Sequence, residues 1–70
     1  MDEVYRGYRI AIRQTDQFVA RVTHVRGPYV PLDAHATLAE GSEQCAIRAR
    51  ALIDRYVLFL EQNGLSGEPN

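Results

Sequence analysis

One amphipathic stretch, Ser42 to Asn63, takes up almost a third of this 70-residue chain. Its apolar residues recur at the spacing of helix turns and form one broad stripe. The stripe comprises Cys45, Ala49, Leu52, Ile53, Tyr56, Phe59 and Leu60. A helix with one apolar face must bury that face against another layer. The residues before Ser42 must therefore supply the second layer of the fold.

Two positions compete for the start of this helix. Ser42 is a good N-cap, and Glu43 in the first turn favours the helix dipole. Thr37 and Glu40 match a capping box and give the alternative start. That alternative places Gly41 inside the helix, which costs about 1 kcal/mol. We therefore favour Ser42, and we expect Asn63-Gly64 to end the helix.

Two alternating runs precede the helix and predict a β-hairpin. In Val4 to Gln14, apolar Tyr8, Ile10 and Ile12 alternate with polar or small residues. Gln17 to Val25 alternates in the same way and is rich in β-branched residues. Period-two alternation indicates half-buried strands, and the short polar break between the runs favours a hairpin.

The register of this hairpin can be argued from burial. A three-residue loop of Gln14 to Asp16 puts all the alternating apolar residues on one face, pairing Ile12 with Phe18, Ile10 with Ala20 and Tyr8 with Val22. A two-residue loop mixes the two faces, so burial selects the longer loop. The selected register places Arg9 opposite Arg21 and Ala11 opposite Val19.

A third strand, Tyr29 to Leu32, can follow the turn at Gly27-Pro28. Pro31 has no N–H for a ladder, which restricts this strand to an edge. For residues 33–41 the sequence pattern is compatible with both a strand and a loop. The predicted fold is α+β, with a two- to three-stranded antiparallel sheet packed on one long C-terminal helix. Residues 1–64 form a single domain in this prediction, and residues 65–70 form a flexible tail.

The predicted sheet has one face that nothing in the chain covers. Arg9, Arg13 and Arg21 lie on that face. A solvated charged face is the simplest interpretation, and a protein-interaction surface and a nucleic-acid surface are the alternatives. Sheets that bind RNA usually stack bases on exposed aromatic side chains. Here Tyr8 and Phe18 point inward and only Tyr5 is expected near the open face, so we place nucleic acid last.

The helix offers a second candidate surface opposite its core stripe. Ile47, Ala51 and Leu58 fall together there on the helical wheel. Contiguous exposed apolar residues suggest an interface, and a domain this small gains much from association. We therefore predict a homo-oligomer, most simply a homodimer, with scattered exposure of the three residues as the alternative.

Composition excludes several classes of protein. The chain is 46% hydrophobic with a net charge of −1, which argues against a disordered tail and against a polybasic nucleic-acid coat. No apolar run reaches the roughly 18 residues of a membrane span. A single cysteine cannot form an internal disulfide, which fits a cytoplasmic protein.

The sequence predicts neither an enzyme nor a metal or cofactor site. Cys45 in the first helix turn could act as a nucleophile, with His24 or His35 as base and Asp33 to orient it. However, Cys45 lies on the core stripe and no nucleophile signature surrounds it. The two histidines have no zinc-type spacing, and no glycine-rich loop opens a helix to hold a phosphate.

The order of elements resembles the partial-RNase-H-like domain of HicB-like antitoxins. The resemblance rests on Tyr8 to Ile12 as the first strand and on Asp16 to Val22 as an acidic turn followed by an aromatic-Val-Ala strand. The Gly27-Pro28 bend and a helix capped at Thr37 or Ser42 complete the order. In that family a glycine usually precedes the aromatic residue of the second strand, and here Gln17 takes its place. The resemblance implies a non-catalytic, oligomeric module that sequesters a small toxin-like protein, and it does not imply DNA binding. Another bacterial family of the same βββα shape is the alternative.

Overall fold

A computed structural model describes residues 2–26 and 29–62 of the chain. Within these residues, four strands precede one helix: β1 (Asp2–Tyr5), β2 (Tyr8–Gln14), β3 (Phe18–His24), β4 (Tyr29–Ala36) and α1 (Ser42–Gln62). The strands form one antiparallel sheet in the order β1-β2-β3-β4, and α1 packs on one face of it. The predicted α+β class is confirmed, and the third predicted strand forms as the longer β4.

No helix of the described residues is both long and apolar enough to cross a membrane.

Pro31 lies in β4, an edge strand of the sheet, where a residue without an N–H is tolerated.

Strand β1 was not predicted from the sequence. It pairs with β2 through a two-residue turn, with Tyr5 opposite Tyr8. Both turn residues have positive φ, 53° at Arg6 and 83° at Gly7, as a two-residue type I′ turn requires. Arginine is a poor residue for a left-handed conformation, so the turn signal is weak in the sequence. The Arg6 guanidinium lies 2.9 Å from Asp54 of α1, an ion pair that helps to hold the turn.

The predicted register of the β2–β3 hairpin was wrong by two residues. The loop is 15–17, so Gln14 lies opposite Phe18, Ile12 opposite Ala20, Ile10 opposite Val22 and Tyr8 opposite His24. The Thr15 N–H donates to the Gln17 carbonyl at 2.8 Å and closes this loop. Because both registers send the same side chains to the same face, the alternation could not choose between them.

The corrected register removes the predicted clash of arginines. Arg9 lies opposite Thr23, and Arg21 lies opposite Ala11 on one side and Asp33 on the other. Like charges directly opposed destabilise a sheet, whereas this arrangement gives Arg21 an acidic neighbour.

The core lies between α1 and the inner face of the sheet. Its largest fully buried side chains are Ile10, Val22, Cys45 and Ile53. Leu52 and Tyr56 of α1 pack partly buried against it, as predicted. Phe59 was assigned to the core stripe but is 52% exposed. It lies six residues beyond Ile53, about 120° away around the helix, which places it at the border of the stripe.

Each of the two proposed helix starts corresponds to a feature of the structure. The Thr37 N–H donates to the Glu40 carboxylate and the Glu40 N–H donates to Thr37 Oγ1, which is the predicted capping box. It closes only one turn, because Gly41 adopts φ 91° and redirects the chain. The helix then begins at Ser42, as favoured. The N-cap is Gly41 and not Ser42, because the Gly41 carbonyl accepts the first helical hydrogen bond, from Cys45. The predicted stop at Asn63-Gly64 and the tail at 65–70 lie outside the described residues.

Two isoleucines on α1 provide a test of this packing. Ile53 is fully buried, whereas Ile47 is 45% exposed. We expect Ile53→Val to lower the free energy of unfolding by about 1 kcal/mol, because a buried methyl group is lost. We expect Ile47→Val, the same change on the same helix, to shift it by less than about 0.5 kcal/mol. Urea denaturation followed by circular dichroism measures both, and equal effects would contradict the assigned core.

Candidate interaction surfaces

The face of the sheet turned away from α1, here called the outer face, carries the predicted arginines. Arg9 and Arg13 of β2 and Arg21 of β3 are all exposed on it. In the part of the chain that the structure describes, α1 covers the inner face and no element covers the outer one. The predicted placement of the three arginines is therefore found.

The three arginines surround Ala11. Arg9 and Arg13 lie two residues before and after it on β2, each about 7 Å away along the strand. Arg21 lies opposite Ala11 on β3. Arg21 Nε is 3.9 Å from Asp33 Oδ1, a long contact between exposed groups that contributes little to stability. Neither Arg9 nor Arg13 forms a salt bridge with any described residue.

The outer face also carries acidic and apolar residues. Asp2 lies opposite Ala11 on β1, and Asp33 flanks Arg21 on β4. Val4 lies opposite Arg9 and is 63% exposed. The face is therefore mixed in charge with small apolar patches between the cations.

The prediction that Tyr5 lies near the outer face was wrong. Tyr5 faces α1, where its hydroxyl donates to Asp54 Oδ1 at 2.9 Å, and this hydrogen bond raises the pKa of Tyr5. Tyr8 is buried and Phe18 is partly buried on the inner face, as predicted. Among the side chains that the structure describes, the outer face thus carries no Phe or Tyr ring, and its one aromatic group is the imidazole of His35.

Side-chain contacts between the β1 end of the sheet and α1 were not predicted from the sequence. Arg50 of α1 donates two hydrogen bonds to Glu3, at 2.8 and 3.0 Å, and these lower the pKa of that carboxyl. The Arg6 and Tyr5 hydrogen bonds likewise lower the pKa of Asp54. Because β1 itself was missed, no sequence signal could assign these partners.

The predicted apolar surface of the helix, here called the helix patch, is exposed. Ile47 is 45% and Leu58 is 53% accessible, and Ala51 between them is also exposed. Asp54 lies on the same face of α1 but is tied to the β1–β2 turn through Arg6. The patch is therefore a short apolar stripe on an otherwise charged face.

A groove of about 340 Å³ lies between α1 and β4 and was not predicted. It is lined by Ala34, His35, Arg48, Ala51, Leu52 and Arg55. At one end Arg48 donates to the His35 carbonyl at 2.9 Å and to both carboxylate oxygens of Glu40. Arg48, together with hydrogen bonds from Thr37, lowers the pKa of Glu40 to about 2. Glu40 is therefore ionised at neutral pH.

The candidate nucleophile and its candidate bases do not come together. Cys45 is fully buried, and burial raises the pKa of its thiol. His35 lies on β4 at an exposed position opposite Val19 of the outer face. His24 packs edge-on against Tyr8 at a ring distance of 5.0 Å, and its Nδ1 accepts from the Arg26 N–H. His24 thus lies at the edge of the core, against Tyr8. Among the described residues, no group of three or more potential ligands could hold a metal ion.

No protein-family model, curated protein or solved structure matches this chain.

The buried thiol gives a direct test of the packing at the start of α1. We expect Cys45 to resist a water-soluble thiol reagent in the native protein, since only the thiolate attacks and the group is buried. In denaturant, one thiol per chain should react within the mixing time of the assay. Stoichiometric labelling of the native protein at neutral pH would show instead that Cys45 is accessible and active.

Proposed function

We propose that this chain is a small non-catalytic protein-interaction module whose partner surface is the outer face of the sheet. The observation that carries the proposal is the pair Arg9 and Arg13, exposed and without acidic partners among the described residues, on a face that no described element covers. Two unmatched cations beside small apolar residues suit a partner that presents carboxylates and an apolar contact.

Charge and composition favour a protein partner over nucleic acid. Asp2 and Asp33 share the outer face with the arginines, and carboxylates on a binding face repel phosphates. The whole chain has a net charge of −1. Single-stranded nucleic acid is usually bound by cations together with several stacking aromatic rings, and among its described side chains the outer face offers the imidazole of His35 alone for stacking.

The resemblance to HicB-like antitoxins suggests the kind of partner. A module of that type sequesters a small toxin-like protein, and in this proposal that protein supplies the carboxylates that face Arg9 and Arg13. The order β2-β3-β4-α1 supports the comparison, and β1 adds one strand to it. A cytoplasmic location accompanies this proposal, because the lone thiol of Cys45 suits a reducing compartment.

The outer face can be tested by capture from cell lysate with matched variants. We expect the wild-type chain, tagged and treated with nuclease, to retain a discrete small protein. Arg9→Gln with Arg13→Gln should weaken that capture by at least about fivefold, since two interface charges are lost. Quantitative mass spectrometry of the eluate measures the change.

The control removes the same amount of charge elsewhere. Arg26→Gln with Arg55→Gln changes two exposed arginines outside the outer face, and it should leave the captured protein unchanged. Equal losses in the two double variants would contradict an outer-face interface. Capture of nucleic acid alone, lost on nuclease treatment and falling steeply with salt, would favour the weak nucleic-acid binder instead.

A homodimer through the helix patch is a second proposal on a separate observation. Ile47, Ala51 and Leu58 expose apolar surface on the one helix of the described residues. A domain of this size buries little core by itself, so association adds a useful amount of buried apolar area.

Charged substitutions in the helix patch test the dimer. We expect Ile47→Glu with Leu58→Glu to convert a dimer to a monomer, because two charges would be buried at the contact. Gln14→Glu with Gln17→Glu adds the same charge at the β2–β3 loop, away from the helix patch, and should leave the mass unchanged. Sedimentation equilibrium gives the masses, and a wild-type monomer at all concentrations would rule the dimer out.

A further inference from the structure

The groove between α1 and β4 is separate from the outer face proposed above. Its volume of about 340 Å³ lies near the lower end of the range for small-molecule sites. Of its lining residues, only Ala51 also belongs to the helix patch. The groove is therefore considered as a binding site distinct from both proposed interfaces.

Small side chains create the groove. Ala34 of β4 and Ala51 of α1 present only methyl groups where the helix passes over the edge of the sheet. Leu52, partly buried against the core, forms the apolar wall between them. The inner part of the groove is thus apolar.

The rim of the groove is basic. Its lining includes Arg48 and Arg55 and no acidic residue, whereas His35 contributes its backbone carbonyl. Arg48 is already matched, because it holds the ionised Glu40 and the His35 carbonyl. The Arg55 side chain forms no salt bridge or hydrogen bond with a described residue. Two helical turns, about 10 Å along the axis, separate it from Arg48.

We propose that this groove binds a small aliphatic carboxylic acid, with the carboxylate on Arg55 and the hydrocarbon body on Ala51 and Leu52. A planar guanidinium matches a carboxylate through two parallel hydrogen bonds. The single unmatched cation, Arg55, balances the charge of a monoanion. A phosphate dianion would keep one unbalanced negative charge, which the ionised Glu40 at the end of the groove would repel. The volume accommodates roughly ten non-hydrogen atoms, since a water molecule occupies about 30 Å³ of liquid.

The test is a titration of the ¹⁵N-labelled full chain with hexanoate. Hexan-1-ol supplies the same body without charge, and acetate supplies the charge without the body. We expect saturable amide shifts at Ala34, Leu52 and Arg55, and affinity for hexanoate at least about fivefold higher than for either comparison compound. Equal affinities for hexanoate and hexan-1-ol, or shifts confined to other parts of the chain, would overturn the proposal.

Variants assign the two halves of the site. Arg55→Gln should reduce the affinity for hexanoate to that for hexan-1-ol, because it removes only the charge. Ala51→Leu, at an exposed helix position, should fill the groove and weaken both compounds. Arg26→Gln, which removes an equivalent charge from the β3–β4 connection, should change neither. If Arg55→Gln and Arg26→Gln behave alike, the carboxylate does not lie on Arg55 and the proposal fails.

Discussion

Close contact between α1 and the sheet is the constraint on which this small structure depends. Much of the contact is made by alanines that are buried on both sides of it: Ala20, Ala34 and Ala36 on the sheet, and Ala49 on the helix. Methyl groups let the two layers approach closely, and a few larger side chains such as Ile10 and Ile53 fill the remaining space. Because α1 commits its apolar face to this one contact, the outer face of the sheet stays open. One of them, Ala34, together with the exposed Ala51 leaves the groove where the helix passes over β4.

Periodicity in the sequence was enough to predict the layers but not the details that depend on turns. Alternation assigned Ile10 and Arg9 to opposite faces correctly, and the helical spacing identified Cys45 and Ile53 as core. Neither pattern contains the length of a loop, so the hairpin register was wrong by two residues although the side chains of β2 and β3 faced the expected way. Strand β1 was missed for a related reason, because its turn relies on a positive φ at Arg6 that residue type does not signal.

The candidate surfaces also divide into those that local sequence pattern predicts and those that depend on long-range packing. Exposure of Arg9, Arg13 and the helix patch followed from local pattern, because each depends on one strand or one helix. The groove required knowledge of where α1 crosses β4, and the Glu3–Arg50 and Tyr5–Asp54 contacts join residues 47 and 49 positions apart. Such pairs are exposed enough that each adds little stability, but together they fix the orientation of β1 beside the helix.

Pairing of charges, more than their total, distinguishes the parts of this molecule. Four of the eight arginines form salt bridges with acids of the described residues. The others include Arg9 and Arg13 on the outer face and Arg55 at the groove. A chain with a net charge of −1 can therefore present unmatched cations at two separate places. Because a matched pair in solvent attracts a third charge only weakly, these unmatched arginines are where an acidic partner gains most from binding.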